Sequence, residues 1–335
     1  MDTIGYLFPL KPKAPASLQL SVNLSAYISN NYNQDPKAYM SELRELEEVR
    51  QAALSAPCSP GSVGVLLRYA KELQVLPSRF PVSEENLKLA IGWYNSFTST
   101  HASMNKPLAF FSLKYEQASV LFNLAVLYAR LGTEQVNSSN GVLSGEALKN
   151  GCNFFLQAAG VFDHLCNELS TREDLKIPAS CDLHDHVLKG LSAFMLAEAQ
   201  ECIFYRGLLD RTKDSVLAKV AMGAYELYAS VGALFGDVPV LKQSPEGKQL
   251  LQSAKLKSIA MRVLGEMKKA SDERNKKQFK EEIGRLTYIN DHLVKDLEAG
   301  LKNESTPKEL ASWCRTLIKN FKSEFERAKK DNQLI

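Results

Sequence analysis

The chain has 335 residues, 45% hydrophobic and 24% charged, which supports a large core and excludes a disordered chain. Its formal charge of +3 is too small to require a nucleic-acid partner by itself. No uncharged apolar run approaches the roughly 18 residues of a membrane span, the N-terminus lacks the apolar stretch of a secretory signal, and the six scattered cysteines form no CxxC pair, so a cytoplasmic protein with buried thiols is expected.

The first twenty residues are extended and proline-marked, and "IGYLFPLK" reads as an edge strand. A helix is expected from about Leu18 to Ser29. "QDPKAYMSELRELEEVRQAAL" is strongly amphipathic, with Pro36 in the first turn and Tyr39, Leu43, Leu46 and Val49 at helical spacing. Beyond the loop "SAPCSPGS", "VGVLLRYAKELQVL" is a helix stopped by Pro77. "LKLAIGWY" fits strand or helix, and "TSTHASMNKP" is a loop.

From Leu108 helices dominate. "PLAFFSLKYEQASVLFNLAVLYARLG" runs to a glycine stop at Gly132, and Ser144 N-caps "GEALKNGCNFFLQAAGVFDHLCNEL". "HDHVLKGLSAFMLAEAQECIFYRGLL" precedes "DRTKDSVLAKVAMGAYELYASVGALF", and three further helical stretches follow "GDVPVLKQSPEG". The total is about ten helices, with extended structure confined to the first third and no linker that divides the chain. "NLAVLYARLG", "NFFLQAAGVF" and the Leu264-Gly265 region carry tetratricopeptide-like spacing, in which small residues let paired helices approach closely. The period is irregular, and an ordinary helical bundle is the competing reading.

Candidates for chemistry are few. "CDLHDH" gathers Cys181, Asp182, His184, Asp185 and His186, but it immediately precedes a helix, where Asp182 or Asp185 is a natural N-cap, so no metal is expected. Glu198 and Glu201 share a helical face and read as a solvated or hydrogen-bonded edge rather than an acid/base pair. Phosphate loops and nucleophile motifs are missing, and neither an enzyme, a cofactor nor a small-molecule substrate is expected. Basic residues thicken toward the end, among them Lys257, Lys268, Lys269, Lys276 and Lys277. Interspersed acids make this a solvated face first and an anionic-lipid surface second; aromatic interleaving suited to nucleic acid is absent. In "DSVLAKVAMGAYELY", Val216 and Val220 form one apolar stripe at i and i+4, while Leu217, Ala221 and Tyr228 form another. The two stripes exceed what one buried face needs.

"KYEQASVLFNLAVLYARLG", "GEALKNGCNFFLQAAGVFDHL", "LAEAQECIF", "RTKDSVLAKVA" and the terminal "ERAKKDNQLI" together resemble the Bro domain family, the N-terminal domain of ESCRT-associated scaffolds of the ALIX, His-domain tyrosine phosphatase and PalA types. The resemblance runs from "FPLK" to Ile335. It implies a mainly α, curved, banana-shaped domain with a tetratricopeptide-like core and a small β element near the N-terminus, occupying residues 1–335 as a single domain of a longer scaffold. It also implies an adaptor recruited from the cytoplasm to endosomes, acting in multivesicular-body sorting or pH signalling. Its partner would be the amphipathic C-terminal helix of an ESCRT-III subunit of the Snf/charged-multivesicular-body type. The family's apolar groove positions fall on Ile203, Val216 and Val220, with Lys149 at the border and Leu148 and Cys152 as neighbours. The alternative is a membrane-surface scaffold reading anionic lipid through Lys268, Lys269, Lys276 and Lys277. The family's membrane-touching aromatic loop corresponds to "TSTHASMNKPLAFF", whose tip carries Met104 instead.

Overall fold

The computed structural model describes residues 6–97, 106–137, 143–171, 175–236 and 238–333. Three short strands, β1 (Ala14–Pro15), β2 (Ile91–Tyr94) and β3 (Leu108–Phe110), form one antiparallel sheet in the order β1-β2-β3. The ambiguous "LKLAIGWY" therefore supplies a strand. Ile91 and Trp93 are buried while Gly92 and Tyr94 are half-buried, the alternation a two-faced strand requires.

Two local expectations fail here. Of "IGYLFPLK", the described residues lie outside any strand, because Phe8 N–H is taken by the Glu198 carboxylate at 3.0 Å rather than by a ladder. Residues 108–110, read as the start of a helix, pair instead with β2, Phe110 opposite Ile91. The tip with Met104 lies outside the described residues.

The helices then follow in order: α1 (Leu20–Tyr32), α2 (Met40–Leu54), α3 (Gly61–Val75), α4 (Leu113–Asn137), α5 (Gly145–Ser170), α6 (Asp185–Leu209), α7 (Asp214–Phe235), the short α8 (Pro239–Gln243), α9 (Pro245–Asn275), α10 (Phe279–Tyr288), α11 (Val294–Gly300) and α12 (Lys308–Gln333). A 3₁₀ turn at Pro36–Tyr39 leads into α2, and a π turn at Ile289–Leu293 joins α10 to α11. Ser144 Oγ caps α5 by accepting from Ala147 N at 3.0 Å. Gly132 does not end α4, which runs five residues further. Its missing side chain instead admits the Phe155 ring, 2.9 Å from where a Cβ would stand.

The cap of α6 also differs from expectation. His184 fills it, and Asp185, the first helical residue, accepts from His186 N at 2.8 Å. Asp182 is unavailable as a cap because it is fully buried against the Lys13 ammonium and accepts from Ser96 N at 2.7 Å. "CDLHDH" thus splits between an inward Cys181–Asp182 pair and two outward histidines stacked on each other, ring centroids 5.4 Å apart.

Consecutive long helices pack antiparallel, each on the next. Between α5 and α6, Ser192 Oγ donates to Ala159 O at 3.1 Å, and Cys202 Sγ lies 3.9 Å from the Cβ position of Gly151. Between α6 and α7, Gln200 Nε2 donates to Val220 O at 3.3 Å and also meets the Cβ position of Gly223, while Gly190 faces the Phe235 ring. Glycine at these crossings lets the axes come close, the device that tetratricopeptide-like pairs use. One continuous apolar core links the sheet, α4–α7, α9 and α12.

Candidate partner-helix binding site

On α6, residues 196, 200, 203 and 207 recur at helical spacing and share the face turned away from the core. Gly207 and Gln200 touch α7, so Ile203 sits between those crossings with α5 on its other side. It is 45% exposed, whereas its neighbours Cys202 and Phe204 are buried. On α7 the two stripes of the sequence separate. Leu217, Ala221 and Tyr228 are core, while Val216 is 46% exposed and Val220 is half-buried beside Gln200. Ile203 on α6 and Val216 and Val220 on α7 therefore lie on the solvent side of the α6–α7 seam, one apolar stripe on each helix.

The α5 wall is polar at its near end. Lys149 is exposed, and Cys152 is half-buried, its thiol pushed up by burial with the Arg206 charge opposing. Leu148 departs from expectation. It is completely buried, because it lies about 100° around the helix from Lys149, on the core side, and a docking helix has nothing of it to touch. Leu209, at the end of α6, is also 45% exposed, but six residues on from Ile203 it lies about 120° around the helix and does not line the same face. The sequence signal for that exposure was present in an apolar residue set directly against the polar "DRTK", but a helix end beside a turn is an ordinary place for either burial state.

Charge inside the α6–α9 layer is organised differently from the surface reading. Glu198 and Glu201 are not a solvated edge: both are fully buried, and Lys257 Nζ reaches Glu201 at 2.8 Å and Glu198 at 4.0 Å. Tyr228 Oη donates to Glu201 at 2.8 Å. Lys257, counted from sequence among the surface bases, is thus the internal counter-ion of this pair. Burial raises the Glu198 carboxyl to about 7 even against the Lys257 charge.

Of the four lysines considered for lipid, Lys268 pairs with Asp214 at 3.0 Å, and Lys269 and Lys276 share Asp272 at 3.3 and 2.8 Å. Lys277, just beyond α9, makes no ion pair among the described residues. Most of that positive charge is matched within the protein. No helix among the described residues is long and apolar enough to cross a membrane.

Comparison with known proteins relates the whole chain to others. The chain is 30% identical over 330 residues to the programmed cell death 6-interacting protein of Xenopus laevis, covering 96% of this chain and 36% of that protein. It is 27% identical over 337 residues to the pH-response regulator palA/RIM20 of Emericella nidulans, covering 95% of this chain and 35% of the relative. The chain thus spans about a third of the length of these relatives. Among solved structures, the BRO1 domain in an ALIX–CHMP4C complex superposes with a TM-score of 0.76 at 24% identity, covering 98% of this chain and 89% of that one. A profile of the BRO1-like domain matches residues 7–335, and the chain belongs to that family.

Proposed function

We propose that this domain is an adaptor that receives the amphipathic C-terminal helix of an ESCRT-III subunit in the trough between α6 and α7, and that this docking recruits the scaffold to endosomes. Multivesicular-body sorting is the role the ALIX-type branch supplies, and ambient-pH signalling the role of the palA branch. The observation that carries the reading is the exposure of Ile203 and Val216, 45% and 46%, on facing helices beside half-buried Val220. Exposed aliphatic side chains clustered on a folded surface at helix-groove spacing match the demand of an incoming helix with apolar residues at i, i+3, i+4 and i+7. Burying them contributes about 1.5–3 kcal/mol each before the costs of ordering. Lys149 and Arg206 beside the trough favour a partner with acidic residues on its polar face.

The test is a titration with a peptide of the CHMP4C C-terminal helix. Val216→Asp and Ile203→Asp each weaken binding by at least about tenfold, because a carboxylate buried under an apolar helix finds no partner. Both sites are half exposed in the free domain, so thermal melting by circular dichroism stays within a few degrees of the parent. Unchanged affinity in both variants overturns the reading. A collapse of the melt shows instead that the two residues belong to the core.

A further inference from the structure

We infer that the trough contains a second apolar subsite, formed by Leu156, Leu196 and Leu227, two helical turns from the first, and that the docked helix fills both. This deepens the proposed function and rests on it. Leu156 and Leu196 are 46% and 37% exposed, and Leu227 is half-buried. They come from three different helices, yet the packing register brings them to one level. Ala159 faces Ser192 and Gly151 faces Cys202 across α5 and α6, so the antiparallel register sets Leu156 opposite Leu196. Gln200 meets Gly223 across α6 and α7, and one turn further along Leu196 comes opposite Leu227.

Each leucine also continues a stripe of the first subsite. Leu196 lies seven residues from Ile203 on α6, Leu227 seven from Val220 on α7, and Leu156 seven from Lys149 on α5. Seven residues are nearly two full turns, so each pair shares a face at a separation of about 10.5 Å. Between the subsites the trough stays open because Gly223 presents no side chain and Gln200 folds down to donate to Val220 O at 3.3 Å. A further seven residues along α5 and α6 stand Asp163 and Lys189, both exposed, which close the apolar surface.

From Leu196 to Gly207 the α6 edge of the trough spans roughly 16 Å. That length suits an amphipathic helix of about three turns lying along the trough, with apolar residues repeated one heptad apart, one set per subsite. A single-turn contact would leave the three leucines in water. The occupant to which this commits is therefore the same ESCRT-III helix, seated over two heptads. Continuity with the first subsite is what selects it.

The experiment measures binding of a CHMP4C C-terminal-helix peptide to the parent domain and to Leu156→Ser, Leu196→Ser and Val216→Asp, each checked for an unchanged melt. A second substitution, Leu196→Gln, stands in should Leu196→Ser fail to fold. The serine variants are expected to weaken binding by about threefold or more each and by about tenfold or more together. If the leucine variants bind within about twofold of the parent while Val216→Asp abolishes binding, the second subsite is unused and this inference fails, with the docking reading intact. If Val216→Asp also binds like the parent, the docking reading itself fails.

Discussion

Glu198 is completely buried, accepts from Phe8 N at 3.0 Å, and shares Lys257 with Glu201, which holds the ammonium more closely. One cation cannot satisfy two carboxylates in a low-dielectric layer, and Glu198 Oε2 and Glu201 Oε1 make no hydrogen bond among the described residues. Burial raises Glu198 from an ordinary 4.5 to about 7, opposed by the Lys257 charge and the Phe8 N–H and reinforced by Glu201. Tyr228, from α7, donates to Glu201, and Tyr6, on the N-terminal segment, lies near Glu309 and Glu198; both phenols are pushed upward, mainly by burial. Between pH 4.5 and about 7 the folded chain therefore binds more protons at Glu198 than the unfolded chain does. Stability from this group falls as pH rises through that window, and the cost is complete above it. Glu198→Gln keeps an acceptor for Phe8 N–H and removes the charge. It is expected to match the parent near pH 4.5 and to exceed it by up to roughly 3 kcal/mol at pH 8, measured by urea denaturation across the range. A parent and variant with the same pH slope would show that Glu198 does not titrate there.

At the scale of elements, the long helices were legible because their signals are local. Ser144 caps α5 as its position before "GEAL" predicts, and Pro36 opens the turn into α2. What escaped the sequence depends on contacts between distant segments. Leu108–Phe110 reads as helix until its partner, residues 91–93, is known. Gly132 reads as a stop until Phe155 is placed against it. Leu148 and Lys149 are adjacent in sequence and opposite in fate, and only the packing of α5 decides which one meets solvent. The trough residues Ile203, Val216 and Val220 came from family resemblance, since periodicity alone does not separate an exposed apolar stripe from a buried one. The glycines offer a clean test of this division. An added Cβ at Gly190 would stand 2.2 Å from the Phe235 ring, so α6 and α7 must part or the ring must turn. Gly64, inside α3, has nothing within 4 Å of that position. Gly190→Ala is expected to cost about 1–3 kcal/mol or more through overpacking, and Gly64→Ala to gain about 0.5–1 kcal/mol through helix propensity. Melting temperatures of the two variants should move in opposite directions. A shift of the same sign would mean that local propensity, not the α6–α7 crossing, governs both.

At the scale of the molecule, the N-terminal segment works as a tie across layers that are remote in sequence. Phe8 N–H binds Glu198 on α6, the Lys11 ammonium pairs with Glu246 on α9 at 3.1 Å, and Lys13 N–H donates to Asn123 on α4 at 2.7 Å. The Lys13 ammonium ends fully buried against Asp182, whose other oxygen holds Ser96 N just after β2. Sheet, α4, α6 and α9 are joined through one short stretch, so losing an anchor should lower the stability of the whole domain rather than fray one end. The two lysine pairs differ in kind. Lys11 is 63% exposed and its pair is worth at most about 1 kcal/mol, whereas removing Lys13 strands a buried carboxylate and costs about 3–5 kcal/mol. Lys13→Met is thus expected to lower the denaturation midpoint steeply in a single transition, and Lys11→Met to leave it nearly unchanged. Adding Asp182→Asn to Lys13→Met should recover part of the loss, because a neutral amide still accepts from Ser96 N and needs no cation. Glu198 and Ile203 lie on opposite faces of α6, which puts this tie on the far side from the trough. Helix affinity of Lys13→Met, measured where it remains folded, should therefore equal that of the parent; a matching loss of affinity would mean that the tie sets the spacing of α6 and α7 as well as the stability of the fold.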